Sequence, residues 1–207
     1  MIFKIRRSIF ILFVIIFISG NLYVIYNISQ KNRVISSYQK IRVDSESLFN
    51  FFVDREVKGF ESENWMLNPQ TMIFNINGDS CTLGDKSSFC PLLVFRFSAQ
   101  NCRSCIDTEL ERIKKNLMVD NQNVMIVASG KTERELSLLK AYNSLDYDFY
   151  YFKEDTLDIP IDKYNIPYLF LLNCDGRVSS VFLPVLDNDY LSEQFYNSYN
   201  AFFNSGK

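Results

Sequence analysis

Two cysteines, Cys102 and Cys105, carry the most specific chemical signal in this sequence. They follow an apolar run of strand length and open a segment whose apolar residues recur on one helix face, namely Ile106, Leu110, Ile113 and Leu117. The unpaired N–H groups at a helix N-terminus stabilise an anion, and so would stabilise a thiolate on Cys102. Cys105, on the same helix face, can then close a disulfide and release a bound thiol. The arrangement predicts thiol–disulfide exchange, with Arg103 adding a nearby positive charge.

The composition excludes several other kinds of site. Of the 207 residues, 47% are hydrophobic and 15% are aromatic, which allows a sizeable core and argues against disorder. The net charge is −2, with no basic block beyond the first residues, so we expect no nucleic-acid partner. Histidine is absent, which excludes histidine-based catalysis and imidazole metal sites. Zinc would require four of the five cysteines to converge, so we expect no metal.

The first 27 residues have the pattern of a membrane anchor. A basic start, with Lys4, Arg6 and Arg7, precedes a nearly continuous apolar stretch at 9–26. About 18 such residues can just span a bilayer as a helix. A signal peptide cleaved near Ser19 is the alternative, but a second apolar run at 22–26 follows that point, which favours an uncleaved anchor. The excess of positive charge before the span favours a cytoplasmic N-terminus and an exported domain.

Residues 28–70 are expected to form a helical stalk and a linker. The apolar positions of the first part fit one helical seam, with Ser45 as a polar gap: Val34, Tyr38, Ile41, Leu48 and Phe52. This helix either packs on the domain or separates it from the membrane, and a short dimerising coiled coil is a third possibility. Asn64, Asn68 and Pro69 indicate a linker over 61–70.

The remaining residues, 71–207, have the pattern of one α/β domain. Strands are predicted at 72–76, 92–97, 123–128, 147–152, 168–172 and 178–183, with Asn77-Gly78 as a turn. Helices are predicted from the cysteine pair to about Leu117, at 131–144, and from Asn188 or Asp189 onward. The last helix should bury Leu191, Phe195, Tyr199 and Phe202. Strands alternating with helices indicate a sheet covered on both faces.

Three segments of this domain resemble the thioredoxin-like superfamily, and the membrane-anchored, envelope-facing TlpA-like thiol–disulfide oxidoreductases in particular. Residues 92–105 match the strand and active-site loop of that family, and 173–178 match a hairpin turn. Residues 165–172 match its cis-proline segment and the following strand. The resemblance covers about two-thirds of the chain. It implies a central mixed sheet flanked by helices, preceded here by the transmembrane helix and the stalk.

The resemblance also implies a function and a location. Cys102 would attack and Cys105 would resolve, without a diffusible cofactor. Pro167, held cis beside the cysteines, would leave the backbone of Ile166 free to pair with a substrate strand, although an ordinary trans turn is the alternative. The partners would be protein thiols or disulfides and a redox partner protein. The chain would be a single-pass protein of the bacterial cytoplasmic membrane, with its C-terminal domain in the periplasm or exterior.

The sequence departs from the family beside the cysteines. Asn101 stands where the family usually has tryptophan, and Arg103-Ser104 stands where it has a proline. Whether the cysteine pair oxidises or reduces its substrate therefore cannot be inferred from the family. These departures keep a second hypothesis open, in which the chain is a non-catalytic binding module and its cysteine pair is only a structural disulfide. A peroxiredoxin-like peroxidase is weaker, because the threonine spacing of that class is missing before Cys102.

Three further cysteines remain to be assigned. Cys81 and Cys90 flank the loop between two predicted strands, so a Cys81–Cys90 bridge is the expected structural disulfide. Cys174 is then interpreted as a small residue in a turn near a core strand.

Overall fold

The structure is a computed structural model, and it describes residues 28–29, 31–32, 46–47, 49–86, 90–118, 121–154, 156–186 and 188–205. The chain divides into two compact units, 1–52 and 53–207. In the first unit the described residues are helical. The anchor expected at 1–27 lies outside the described residues, as does most of the seam that starts at Val34. Within the described ranges, no helix is both long enough and apolar enough to cross a membrane.

The second unit begins with a helix, α1 (53–62), that packs on the domain. Arg55 and Ser62 are buried on one of its faces. On the same face Gly59 approaches Leu183 so closely that an added Cβ would lie 3.2 Å from the leucine Cδ1. The Ser62 Oγ also accepts a hydrogen bond from the backbone N–H of Ile161, at 3.1 Å. These residues are therefore part of the domain rather than a spacer.

The segment predicted as a linker, 61–70, also belongs to this unit. Leu67 is 2% exposed, and its backbone N–H donates to the carbonyl oxygen of Gly176 at 3.0 Å. Val178 donates in turn to the carbonyl oxygen of Trp65 at 2.9 Å. The linker interpretation was wrong because backbone groups of this segment pair with the turn and the start of the second strand of the β-hairpin at 168–182, rather than with water.

Seven described strands form one mixed sheet. They are β1 (Met72–Asn75), β2 (Ser80–Thr82), β3 (Leu92–Ser98), β4 (Val124–Ser129), β5 (Asp148–Phe152), β6 (Tyr168–Leu172) and β7 (Val178–Phe182). Their spatial order is β2-β1-β5-β4-β3-β6-β7. The central strands β3, β4 and β5 are parallel, and the outer pairings are antiparallel. Every residue of β3 is buried, as expected for a central strand with both faces covered.

The later helices are α2 (Leu83–Lys86), α3 (Arg103–Asn116), α4 (Glu133–Asn143) and α5 (Asp189–Ser205). A short 3₁₀ turn covers Pro160–Tyr164. Helices α3, α4 and α5 cover the face of the sheet to which Phe95 and Phe97 point. The opposite face, with Val94, packs against the segment around 157–161 and Leu67.

The buried face of α5 differs from the predicted one. Leu191 and Phe202 are exposed, whereas Tyr196 is fully buried. The helix is rotated because its buried side chains hydrogen bond to α3 and the residues after it. Tyr196 donates to the Glu109 carboxylate, and the Asn200 Nδ2 donates to the Asn116 carbonyl oxygen at 2.8 Å. Polar pairing, rather than apolar spacing alone, decides which side faces inward.

The structural disulfide joins Cys90 to Cys174, not to Cys81, with 5.0 Å between the two Cα atoms. All five cysteines lie in the described residues, and Cys81 alone has no disulfide partner. Sheet order explains the error, since β2, which contains Cys81, is separated from β3 by three strands. β3 and β6 are antiparallel neighbours that pair Leu92 with Leu172. Extending that register by two residues brings Cys90 opposite Cys174.

Candidate active site

Cys102 lies at the N-cap position of α3, just beyond the carboxyl end of the central strand β3. Its backbone is extended, with φ −62° and ψ 134°, and its Sγ accepts a hydrogen bond from the Cys105 backbone N–H at 3.1 Å. Cys105 is bonded to it in a disulfide, with the Cα atoms 5.3 Å apart. A thiolate on Cys102 would accept the same hydrogen bond from the Cys105 N–H, which is the stabilisation expected at a helix N-terminus.

The two cysteines differ in accessibility. Cys102 is exposed and Cys105 is half-buried. The first turn of α3, described throughout, contains no acidic residue that would oppose a negative charge on Cys102. The Ser104 Oγ lies 3.7 Å from the Cys102 sulfur and donates toward it. The geometry therefore suits attack by Cys102 and resolution by the more shielded Cys105.

Arg103 is directed away from the cysteines along α3. Its Nε is 2.7 Å from the Asp107 Oδ2, and its guanidinium lies 5.7 Å from the centre of the Tyr142 ring. The side chain is 58% exposed, so solvent screens its charge. Its role in tuning the Cys102 thiolate stays a prediction, and we expect a small effect because Asp107 offsets the charge.

The active-site loop, residues 99–101, is fixed by a cluster of polar side chains. The Asn101 Oδ1 accepts from the Ser98 backbone N–H at 2.7 Å, and its Nδ2 donates to the Asn165 carbonyl oxygen at 2.6 Å. The Asn165 Oδ1 accepts from the Ser98 Oγ at 2.5 Å, and its Nδ2 donates to the Gln100 Oε1 at 2.6 Å. The sequence analysis did not predict that Asn165 holds this loop. The available signal was the polar Asn101 directly before the first cysteine, a side chain that needs hydrogen-bond partners.

The Ile166–Pro167 bond is trans, so the predicted cis-proline is wrong. The cis X–Pro bond within the described residues is Cys90–Pro91. The chain reverses instead at Asn165, whose φ of 48° and ψ of 49° are left-handed. Ile166 and Pro167 are half-buried as the chain enters β6, and Asn165 is the residue that contacts the active-site loop. The substrate-binding role of these two residues loses the cis bond on which it was argued, and it stays a prediction.

A buried ionic cluster lies between the sheet and the turn that contains Asp162. The Arg96 Nε lies 3.5 Å from the Asp162 Oδ1, with 4% and 5% of the two side chains exposed. Arg96 also donates to the Ser129 Oγ at 2.9 Å, and the Tyr168 hydroxyl donates to the Asp162 Oδ1 at 2.8 Å. Burial raises the pKa of Tyr168 far above its ordinary value, so it stays a neutral donor. The cluster ties the ends of β3 and β4 to the turn that presents Asn165.

A second buried acid lies one helical turn beyond Cys105. Glu109 is 1% exposed, and burial raises its pKa against the opposing hydrogen bonds from Tyr196 and Arg112. The Arg112 Nη1 donates to it at 3.0 Å, and the Tyr196 hydroxyl donates to its other oxygen. Because Tyr196 lies on α5 and Arg112 on α3, the bond from Tyr196 joins α3 to α5 through Glu109.

Comparison with known proteins finds similarity in structure but no match in sequence. No protein-family model matches the chain, and no curated protein sequence matches it. A candidate protein disulfide isomerase from Bacteroides thetaiotaomicron is similar in structure, with a TM-score of 0.51 and 18% identity over 69% of this chain and 87% of that one. The fold is thioredoxin-like. A thiol:disulfide interchange protein from a Bacteroides species has a TM-score of 0.49 and 18% identity, over 67% of this chain and 89% of its own.

The predicted fold class is thus confirmed for the thioredoxin-like domain, with its mixed sheet flanked by helices. Its cysteine pair lies where the parallel strands β3 and β4 end and α3 begins. The end of the central strand, through Ser98, and the turn at Asn165 hold the loop that carries Cys102, while the sulfur itself is exposed. The arrangement holds a disulfide at the surface of the domain.

Proposed function

We propose that this chain is a membrane-tethered thiol–disulfide oxidoreductase that acts on protein disulfides or thiols in the bacterial envelope. One observation carries the proposal. Cys102 is exposed at the N-cap of α3 and is within bonding distance of the half-buried Cys105. An accessible sulfur that accepts a helix N–H group, with a shielded sulfur behind it, is the arrangement that two-step disulfide exchange requires.

The atoms and electrons of the exchange balance with these two cysteines and the substrate disulfide alone. The Cys102 thiolate attacks one sulfur of a substrate disulfide, which forms a mixed disulfide and releases the other substrate sulfur as a thiolate. The Cys105 thiolate then attacks the Cys102 sulfur, which forms the Cys102–Cys105 bond and releases the second substrate sulfur. Two electrons pass to the substrate, whose thiolates take up protons. The reverse sequence oxidises a substrate dithiol.

The proposed location has two supports. The basic start and the apolar stretch 9–26 are the sequence pattern of an anchor with the domain exported. The second disulfide, Cys90–Cys174, suits an oxidising compartment, because such bonds rarely persist in a reducing cytoplasm. Accessibility of engineered tags on each side of residues 9–26 in intact cells tests the topology, and a mature N-terminus near residue 21 in the soluble fraction would contradict it.

The catalytic proposal is tested by the reduction potential of the Cys102–Cys105 pair and by exchange with a small disulfide. The full chain, equilibrated in glutathione buffers, should show one reversible two-electron transition that disappears in Cys102→Ser. Cys81→Ser is the matched control, because Cys81 lies outside the pair and should leave the transition unchanged. A reduced chain that reacts with no disulfide would overturn the proposal in favour of a binding module, and peroxide consumption would favour a peroxidase.

A further inference from the structure

Tyr164 links α1 to the turn that precedes β6. It is the last residue of the 3₁₀ turn Pro160–Tyr164, and its half-buried ring packs against the core on the sheet face opposite α3. Its hydroxyl donates a hydrogen bond to the carboxylate of Asp54, on α1. That bond raises the pKa of Tyr164 to about 12, so the hydroxyl keeps its proton at neutral pH and stays a donor.

The same turn is attached to α1 at a second point. The Ser62 Oγ accepts from the backbone N–H of Ile161 at 3.1 Å, and both residues are fully buried. Asp54 and Ser62 lie near opposite ends of α1, so the turn follows the helix rather than touching it once. Of the two attachments, the one at Tyr164 is nearer in sequence to β6 and to the residue that contacts the active-site loop.

Asn165 follows Tyr164 directly, and it contacts the active-site loop and the end of β3. Its left-handed backbone, with φ 48°, directs its carbonyl oxygen to the Asn101 Nδ2, at 2.6 Å. Its side chain is hydrogen bonded to Ser98 and Gln100. A movement of residue 164 would displace these contacts together, because the peptide unit between 164 and 165 is planar and rigid.

We propose that Tyr164 is a positioning residue for Cys102, held in place by its hydrogen bond to Asp54. The inference rests on the proposed function and concerns how the attacking sulfur is oriented. When the turn shifts, the contact between Asn165 and Asn101 weakens, and Cys102, the next residue, departs from its N-cap geometry. Its sulfur then accepts less from the helix N–H group, which raises the pKa of the thiol and lowers the fraction present as thiolate.

Tyr164→Phe removes the hydroxyl and keeps the ring. In the reduced full chain we expect a higher pKa for the Cys102 thiol and, below that pKa, alkylation about threefold slower than in wild type. That factor is in the lower part of what one hydrogen bond contributes, as suits an exposed acceptor. Trypsin cleavage after Arg103 separates Cys102 from Cys105, so mass spectrometry follows Cys102 alone. Tyr190→Phe, at an exposed tyrosine on α5, is the matched control and should match wild type.

Variants of Asp54 test the other side of the bond. Asp54→Ala removes the acceptor and should slow alkylation of Cys102 by a similar factor. The double variant with Tyr164→Phe should be no slower than either single variant, because all three lose the same bond. Asp54→Asn keeps an acceptor oxygen and should retain most of the wild-type rate. Loss of a negative charge alone would lower the pKa of Cys102, so a higher pKa in Asp54→Ala supports positioning.

The outcomes separate this inference from the proposed function. An unchanged Cys102 pKa in both Tyr164→Phe and Asp54→Ala would overturn the positioning role and leave the oxidoreductase intact. Additive losses in the double variant, or an equal loss in Tyr190→Phe, would overturn it as well. A wild-type chain whose reduced Cys102 attacks no small disulfide would overturn the proposed function, and this inference with it.

Discussion

Asn101 and Asn165, 64 positions apart in sequence, are joined by a hydrogen bond of 2.6 Å from the Asn101 Nδ2 to the Asn165 carbonyl oxygen. Asn101 immediately precedes the exposed Cys102. The bond therefore connects the active-site loop to the turn before β6. A polar contact positions the loop, so the geometry of Cys102 depends on the conformation of Asn165.

Replacing Asn165 should separate the contribution of its backbone from that of its side chain. Asn165→Ala removes the hydrogen bonds to Ser98 and Gln100, and it places at φ 48° a residue that tolerates the left-handed region less well than asparagine does. We expect a loss of about 1–3 kcal/mol in the free energy of unfolding. Asn165→Gly loses the same bonds without that backbone cost and should lose less. Urea denaturation of both variants measures the difference, and equal losses would show that the left-handed backbone contributes nothing.

Cysteine variants should trap substrates asymmetrically. Cys105→Ser leaves the exposed Cys102 able to attack but unable to be resolved, so mixed disulfides with partner proteins should accumulate. Cys102→Ser leaves only the half-buried Cys105 and should trap few or none. Non-reducing gels of cell extracts measure the complexes. Cys81→Ser, combined with each variant, is the control, since burial raises the pKa of the Cys81 thiol and reduces its thiolate fraction. Equal trapping by both variants would contradict the assigned roles.

Charge reversal at Arg103 should have a small, directional effect. Arg103→Glu places a negative charge in the first turn of α3, so we expect the pKa of the reduced Cys102 thiol to rise without loss of exchange. The effect should shrink at high ionic strength, because the side chain is 58% exposed. The pH dependence of alkylation of Cys102 measures it. Arg134→Glu, an exposed position on α4, is the control for net charge. A lower pKa in Arg103→Glu would contradict the helix-terminus argument.

Loss of the second disulfide should reduce stability. The bond closes a loop of 84 positions, and removing a native disulfide from a small domain typically costs about 2–5 kcal/mol. We expect a loss in that range for Cys90→Ser/Cys174→Ser, measured by urea denaturation of the oxidised full chain, with Cys81→Ser close to wild type. Thiol exchange at Cys102 should persist at temperatures where the variant remains folded. A loss below about 1 kcal/mol would mean that β3–β6 pairing alone holds these segments.

Buried Glu109 should make the stability of the domain depend on pH. Burial raises its folded-state pKa above the ordinary value of 4.5, so the folded state holds the proton over a range in which the unfolded state has lost it. Stability is then lost as the pH rises from about 4.5 through the folded pKa. Glu109→Gln cannot titrate and should flatten this dependence in urea denaturation across that range. Glu111→Gln, on the same helix but exposed, should not.

The elements of the domain could be predicted because their signals are local. From Leu92 onward, the predicted strands and helices agree with the structure within two residues at the ends that were assigned. Each is a continuous apolar run or a clear amphipathic repeat, and burial follows from that pattern, as in β3. The location of Cys102 at the start of α3 was predicted from the same signals. Its greater exposure relative to Cys105 followed from the direction of the helix.

The incorrect expectations all concern contacts between distant segments. Spacing favoured Cys81 as the partner of Cys90, but partnership depends on which strands are neighbours, and strand order has no local signature. The bond before Pro167 is trans, and the left-handed turn at Asn165 that precedes it is hydrogen bonded to the distant active-site loop. The α5 face follows from the Tyr196–Glu109 hydrogen bond, which a hydrophobicity pattern does not contain.

The Cys90–Cys174 bond also constrains how the chain is made. Synthesis runs from the N-terminus, so the Cys90 thiol emerges 84 positions before its partner. Cys81 has already emerged by then, and Cys102 and Cys105 follow soon after, so three incorrect partners are present first. Only the antiparallel pairing of β3 with β6 brings the correct sulfurs together. A cell that produces this protein must therefore delay oxidation until translation passes β6, or supply an activity that reshuffles early disulfides.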